Sequence, residues 1–285
     1  MRTPLVLALL AGGLMASCAS PNATSPVGTR RNCAWKVCLY SEDGSTGRTY
    51  RVLNDEPVPV TIGLEFRDVA NLLSPSQRVQ RVVPPNSSVE IPLPALRPGE
   101  PFRADVAISI DLGSSATEPD PDFVYSVPFG GFTQRPLIQG FDGDETHLAS
   151  MRFSLDFGMP QGTPVLAARE GVVLYVQDGF TEGRADPRLL ERANLVVVAH
   201  SDGTMASYGH LRAGLAVAVG DTVPEGALLG LSGRTGFAGQ PHLHFHVGVR
   251  MLGEPGRTIP IRLKDRDGEL VDLSLGALVP PARRR

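Results

Sequence analysis

Apolar and polar residues alternate at every second position through several short stretches of this chain, and no long run keeps a helical period. Val58, Val60, Ile62, Leu64 and Phe66 fall on one face of an extended segment. The stretch Ser88–Leu93 alternates in the same way, and so does Phe102–Ile110 through Phe102, Ala104, Val106, Ile108 and Ile110. A period of two marks strands with one face buried. Further on, Pro164–Ala168 and Gly171–Val176 read as strands. Leu195–His200 and Met205–Tyr208 flank Ser201-Asp202-Gly203-Thr204, and Asp-Gly between two β-prone runs is a hairpin signal. Gly220, Gly226, Gly230, Gly233 and Gly236 punctuate the next stretch with tight turns. The 31 glycines and 25 prolines suit many turns and few helices, so an all-β fold is predicted.

The pattern also divides the chain. Met1-Arg2, the apolar stretch from Leu5 to Leu14 and the small residues after it predict a signal peptide over 1–18, too short for a membrane-spanning helix. Its end, Leu14-Met15-Ala16-Ser17-Cys18, resembles the lipobox of bacterial lipoproteins, with Met15 where Leu or another branched aliphatic is usual. A lipid on Cys18 is therefore expected, against plain secretory cleavage. Residues 19–31 are small, polar and Pro-bearing, a flexible tether. Residues 32–124 form the first β domain, a β-sandwich of immunoglobulin or fibronectin type III kind, ending in an acidic loop or linker over 111–122. No acid, base or nucleophile clusters there, which makes it a spacer or binding module. Residues 125–270 form a second β-rich domain, and 271–285 a tail closing on Arg283-Arg284-Arg285. Hydrophobic residues at 42% and charged residues at 20% are ordinary for globular domains. A net charge of −3 excludes a phosphate-neutralising nucleic-acid binder. Three cysteines are an odd number for an exported chain. With Cys18 acylated, Cys33 and Cys38 remain for a small-loop disulfide, the alternative being two reduced, buried thiols.

Chemistry gathers in the second domain. All six histidines lie between positions 147 and 246. In Gln240-Pro241-His242-Leu243-His244-Phe245-His246-Val247, strand alternation puts His242, His244 and His246 on one face, roughly 6 to 7 Å apart, and Leu243, Phe245 and Val247 on the other. A core that needed only packing would not choose three imidazoles. A catalytic zinc takes three protein ligands and leaves a fourth position for water; two His and one carboxylate keep enough positive charge to lower that water's pKa toward ~7. His147, Asp156 and His210 lie upstream as further parts.

Several blocks resemble the lysostaphin/LytM-type zinc metallopeptidases: Leu155-Asp156-Phe157-Gly158-Met159-Pro160-Gln161-Gly162-Thr163-Pro164 running on to Glu170-Gly171-Val172-Val173; Asn194 to His200 with Tyr208-Gly209-His210-Leu211; Gly220-Asp221-Thr222-Val223 with its glycines; and His242-Leu243-His244-Phe245. They occur in the family's order over roughly 140 to 250. The resemblance implies an antiparallel β-sheet peptidase domain, a zinc cofactor, and peptidoglycan peptides as substrate. It implies Asp156 and His244 as metal ligands, and His242 and His210 as catalytic histidines whose division of labour stays open. The remaining ligand is expected shortly before the Asp. His147 is the only histidine there, although eight residues intervene where many members have three. Asp142, Asp144 and Glu145 are the rival donors. His200 is expected to be structural and His246 to line the cleft. Tyr208, two residues before His210, is expected to share its face on a strand, as a hydrogen-bonding site residue or a structural one.

The expected activity is thus zinc-dependent hydrolysis of peptide cross-links in the cell wall by an exported, lipid-anchored protein of the cell envelope, in the outer membrane if the organism is Gram-negative, and otherwise by a periplasmic or secreted one. Two alternatives belong to other classes. One is a non-catalytic relative that activates wall amidases, the other a wall-binding module whose histidines store zinc.

Overall fold

The computed structural model describes residues 30–34, 36–73, 78–113, 119–144, 146–249 and 256–282. The predicted signal peptide with Cys18, most of the tether, Glu145 and the closing arginines lie outside the described residues. The chain divides into two compact units, the first holding the described residues up to Gly113 and the second those from position 119 onward. Both are built from strands, as predicted, with two short 3-10 turns and no longer helix among the described residues. No helix there is long and apolar enough to cross a membrane.

The first unit contains β1 (Arg30–Ala34), β2 (Val37–Gly44), β3 (Gly47–Asn54), β4 (Val60–Ala70), β5 (Arg78–Val83), β6 (Ser87–Pro94) and β7 (Arg103–Leu112). They form two antiparallel sheets, one ordered β1-β2-β3-β6 and one β5-β4-β7. Cys33 and Cys38 are cross-strand neighbours on β1 and β2 and form the expected disulfide. Val60, Ile62, Leu64 and Phe66 of β4 are buried on the face that the alternation predicted. The Phe66 ring meets Tyr50 of the other sheet at 5.8 Å. Thr61, a polar step in that pattern, is buried as well, because its Oγ1 donates to the Gly113 carbonyl at 2.9 Å and so loses no hydrogen bond on leaving water.

The second unit runs through β8 (Val124–Ser126), β9 (Arg135–Gln139), β10 (Ser154–Gly158), β11 (Pro164–Leu166), β12 (Gly171–Gln177), β13 (Gly183–Arg184), β14 (Asn194–Ala199), β15 (Met205–Leu211), β16 (Thr222–Val223), β17 (Leu228–Leu231), β18 (Gly236–Phe237), β19 (His242–Val249), β20 (Arg257–Thr258), β21 (Arg262–Lys264) and β22 (Leu278–Val279). Nine of these build one sheet, ordered β16-β12-β14-β15-β19-β10-β9-β22 with β20 beside β19. The β14–β15 hairpin turns at the predicted Asp202-Gly203, where Gly203 takes a φ of 81°. Leu155 and Phe157 of β10, Tyr208 of β15, and Leu243, Phe245 and Val247 of β19 are all fully buried in one core cluster with Phe129 and Val196. Period two then sends the intervening side chains of β10 and β19 to the opposite face of the sheet.

Candidate active site

Strand register assembles that opposite face. β10 and β19 are antiparallel, with Asp156 directly across from His244, Ser154 from His246 and Gly158 from His242. On the other side of β19, β15 places Gly209 across from His244. His147 comes from the segment between β9 and β10 and is fully buried. One nitrogen each of His147 and His244 and one carboxylate oxygen of Asp156 lie within 4.8 Å of one another. His147 Nε2 is 3.3 Å from Asp156 Oδ2, and His244 Nδ1 is 2.8 Å from Asp156 Oδ1. Of the rival donors, the two described ones, Asp142 and Asp144, stay out of this group. Asp142 pairs with Arg152 on the surface at 2.8 Å, and Asp144 is exposed.

The tautomers follow from the partners. A carbonyl oxygen only accepts, so each imidazole nitrogen facing one must carry the proton. His147 Nδ1 donates to the Gly140 carbonyl at 2.8 Å, His210 Nδ1 to Thr235 at 2.7 Å, and His242 Nδ1 to Gln240 at 2.9 Å. In all three the bare Nε2 is left for the site. At His147 that nitrogen is buried with no hydrogen-bond partner. A lone pair and a carboxylate oxygen facing each other in a buried place lack a positive charge between them, and two nitrogens with one carboxylate suit zinc by donor chemistry. Burial opposes charge on Asp156, but His244, His147 and His242 around it outweigh burial and hold its carboxyl well below the usual range.

His210 and His242 sit beside this group, their rings 4.5 Å apart, and His242 Nε2 lies 3.8 Å from Asp156 Oδ1. Burial, reinforced by the neighbouring His242 and His244, pushes His210 down to about 3. It reaches its place through an irregularity. Between β14 and β15 the register runs from Val196 opposite Tyr208 to Asn194 opposite Leu211, one residue extra on β15, and His210 takes a left-handed φ of 60°. This bulge corrects the expectation that Tyr208 and His210 share a face. Tyr208 is fully buried in the core, its hydroxyl accepting the Ala168 N–H at 2.8 Å.

The last two histidines separate. His200 is buried, and its Nδ1 donates to the Glu170 carbonyl at 2.8 Å while its ring packs against Tyr125, away from the other imidazoles. His246 does more than line the cleft. Its Nδ1 is 3.2 Å from His244 Nε2, the nitrogen of His244 that faces away from Asp156. Burial, with His244 and His147 nearby, keeps His246 neutral, so its Nδ1 can accept from His244. The signal for this contact was in the sequence, in the two-residue step along one strand face.

Residues 150–255 match the family model for Peptidase family M23, a stretch that holds Asp156, His210, His242 and His244 and begins just after His147. Peptidoglycan DD-endopeptidase ShyA of Vibrio cholerae is 35% identical over 118 residues, 40% of this chain and 25% of that protein. DD-carboxypeptidase/endopeptidase Mpg of Neisseria meningitidis is 30% identical over 138 residues, 48% of this chain and 27% of that protein. Among solved structures, the catalytic domain of lysostaphin from Staphylococcus simulans is 27% identical, covering 45% of this chain and 86% of that one, with a TM-score of 0.30. The matched stretch spans about a quarter of the curated relatives' own length. The resemblance carried by the sequence motifs holds: residues 150–255, whose described part lies within the second unit, match the Peptidase family M23 model, and relatives named as endopeptidases are similar to this chain.

Proposed function

We propose that this chain is a zinc-dependent endopeptidase that hydrolyses peptide cross-links of bacterial peptidoglycan. The observation carrying this reading is the convergence of His147 Nε2, Asp156 and His244 Nδ1 on one point, with the bare Nε2 atoms of His210 and His242 alongside. His147, Asp156 and His244 are the residues to hold zinc, which when bound supplies Lewis acidity to a water and to the scissile carbonyl. His246 accepts from His244 Nε2 and so fixes the ring that presents Nδ1. His242 and His210 handle the proton. One bare Nε2 takes it from the attacking water, and a protonated imidazole then stabilises the oxyanion and delivers the proton to the leaving amine. Two rings 4.5 Å apart keep donor and acceptor within reach of one scissile bond. His210, whose charged form is opposed by burial, readily gives up a proton once it holds one. The envelope location, with a lipid on Cys18 and the first unit as spacer or wall-binding module, belongs to the same proposal.

The test is digestion of purified peptidoglycan by the zinc-loaded protein, with the fragments identified by mass spectrometry. Products opened at peptide cross-links are expected. Release of glycan fragments alone overturns the reading, and so does an inert protein that stimulates a partner amidase.

A further inference from the structure

Beside the paired histidines lies a cavity of about 610 Å³ whose wall includes Phe180, Glu182, Arg184, Arg212, Arg234 and Thr235. It adjoins the centre through backbone. Thr235 lines it and offers the carbonyl that fixes His210 Nδ1. Arg212 follows His210 by two residues, and Gly233, next to Arg234, is bridged to His242. The close approach is specific to glycine at 233, since a Cβ there would come within 2.6 Å of the Arg212 nitrogen and 2.8 Å of the His210 carbonyl. The 210–212 and 233–235 segments are therefore locked together, and their side chains flank a common wall.

The charges of that wall do not balance. Its one carboxylate, Glu182, is already engaged by Arg192 at 2.8 Å and Arg184 at 3.5 Å. Arg184 turns also to Asp186 at 3.2 Å. Arg212 and Arg234 make no ion pair with any described residue. Arg234 is oriented instead by its Nε–H, which donates to the Ala238 carbonyl at 3.2 Å and leaves the outer guanidinium nitrogens uncommitted. Guanidinium groups that line one cavity without a counter-ion raise its positive potential, and a planar fork matches a carboxylate through two parallel hydrogen bonds. Phe180 adds an apolar wall for the carbon chain that carries the acid.

We propose that this cavity is a subsite for a free carboxylate of the peptide substrate, gripped by Arg212 and Arg234, with Arg184 held in reserve on Glu182 and Asp186. The inference rests on the peptidase reading of the adjoining centre. It makes acidity next to the scissile bond, rather than the bond alone, part of what the protein recognises.

The experiment uses a pair of cross-linked stem peptides that differ only in whether one side-chain or terminal carboxylate is free or amidated. Equilibrium binding is measured calorimetrically on the full-length, zinc-loaded His242→Ala protein, in which turnover is blocked, and on the same protein carrying Arg212→Gln or Arg234→Gln. The free acid should bind about tenfold or more tightly than the amide, and each glutamine should shrink that preference toward unity while leaving amide binding unchanged. In the otherwise unaltered protein the same preference should appear in KM rather than kcat. Equal binding of acid and amide overturns the proposal, and so does a glutamine variant that weakens both equally. A preserved acid preference in binding with no cleavage of either peptide leaves the subsite standing and overturns the peptidase reading, so the two fail separately.

Discussion

His200 is closed into the second unit as a neutral imidazole, so lowering the pH charges it in the unfolded chain well before it does so in the fold. Burial is the main cause, with the nearby Arg169 guanidinium adding to it, and together they push its pKa from 6.5 to about 4. Its Nε2 is buried with no partner to share a proton. Between these values the unfolded chain binds the proton and the native state does not, so stability rises with pH. The contribution is complete above pH 6.5 and is lost as the pH falls from there to about 4. At pH 5 the two pKa values make the loss about 2 kcal/mol, and near pH 4 about 3 kcal/mol. A His200→Leu variant lacks the titrating group. It loses the bond to Glu170 at every pH, but the pH-dependent part of the penalty disappears. Urea unfolding of both proteins at pH 7.5 and pH 5 isolates the effect, because every other residue is common to the two proteins and its contribution cancels in the difference. The gap between the two proteins should narrow on acidification by about 2 kcal/mol. Parallel curves at the two pH values would refute the assignment of His200 as a buried neutral group.

The remaining predictions concern the site and its support. His242→Ala should retain one zinc per chain by metal analysis while turnover falls about a hundredfold or more, whereas His244→Ala should lose the metal. His246→Leu should weaken zinc binding by about tenfold to a hundredfold in a chelator competition with little change in thermal stability, and His246→Asn, which restores an acceptor, should recover part of it. Tyr208→Phe strands the buried Ala168 N–H and should cost about 1 to 3 kcal/mol of unfolding free energy without altering the pH profile of turnover. Addition of zinc at a hundredfold excess over its Kd should stabilise the chelator-treated protein by about 2.7 kcal/mol, seen as a higher Tm, and an unchanged Tm would count against the metal centre.

Much of this was legible in the sequence because a strand writes its two faces in alternate letters. The burial of Val60, Ile62 and Leu64 and the split between Leu243-Phe245 and His242-His244 follow from period two alone. His147 was legible as a candidate because it is the only histidine before Asp156, although its segment matches no strand pattern and only the fold shows the Gly140 carbonyl that sets its tautomer. Period two fails where a strand is irregular. One extra residue on β15 turned Tyr208 into the core and His210 toward the group of His147, Asp156 and His244, and nothing in Tyr208-Gly209-His210 announces a bulge except the glycine. The arginine-lined cavity was invisible for another reason. Arg184, Arg212 and Arg234 are far apart in sequence and follow no period, and what distinguishes two of them, the lack of a carboxylate partner, exists only after folding.

A centre with several imidazoles around one carboxylate poses an electrostatic problem, and backbone carbonyls solve it. Left free, each ring could take either tautomer or a second proton, and a protonated set would repel itself around Asp156. Gly140, Thr235 and Gln240 each claim a Nδ1 proton, which turns the Nε2 lone pairs of His147, His210 and His242 inward. The carbonyl that holds His210 comes from 25 residues away, whereas those that hold His242 and His147 come from two and seven residues before them, so loop conformation as well as tertiary structure sets the tautomers. Only His244 offers Nδ1 to Asp156, and it has the one side-chain acceptor, His246, on its outer nitrogen. The same physics therefore separates the histidine that must turn its Nδ1 to a ligand position from those that present Nε2. It also explains why a two-residue shift along β19 changes a ring's role: His242 and His244 share a face, but they differ in which group holds their other nitrogen.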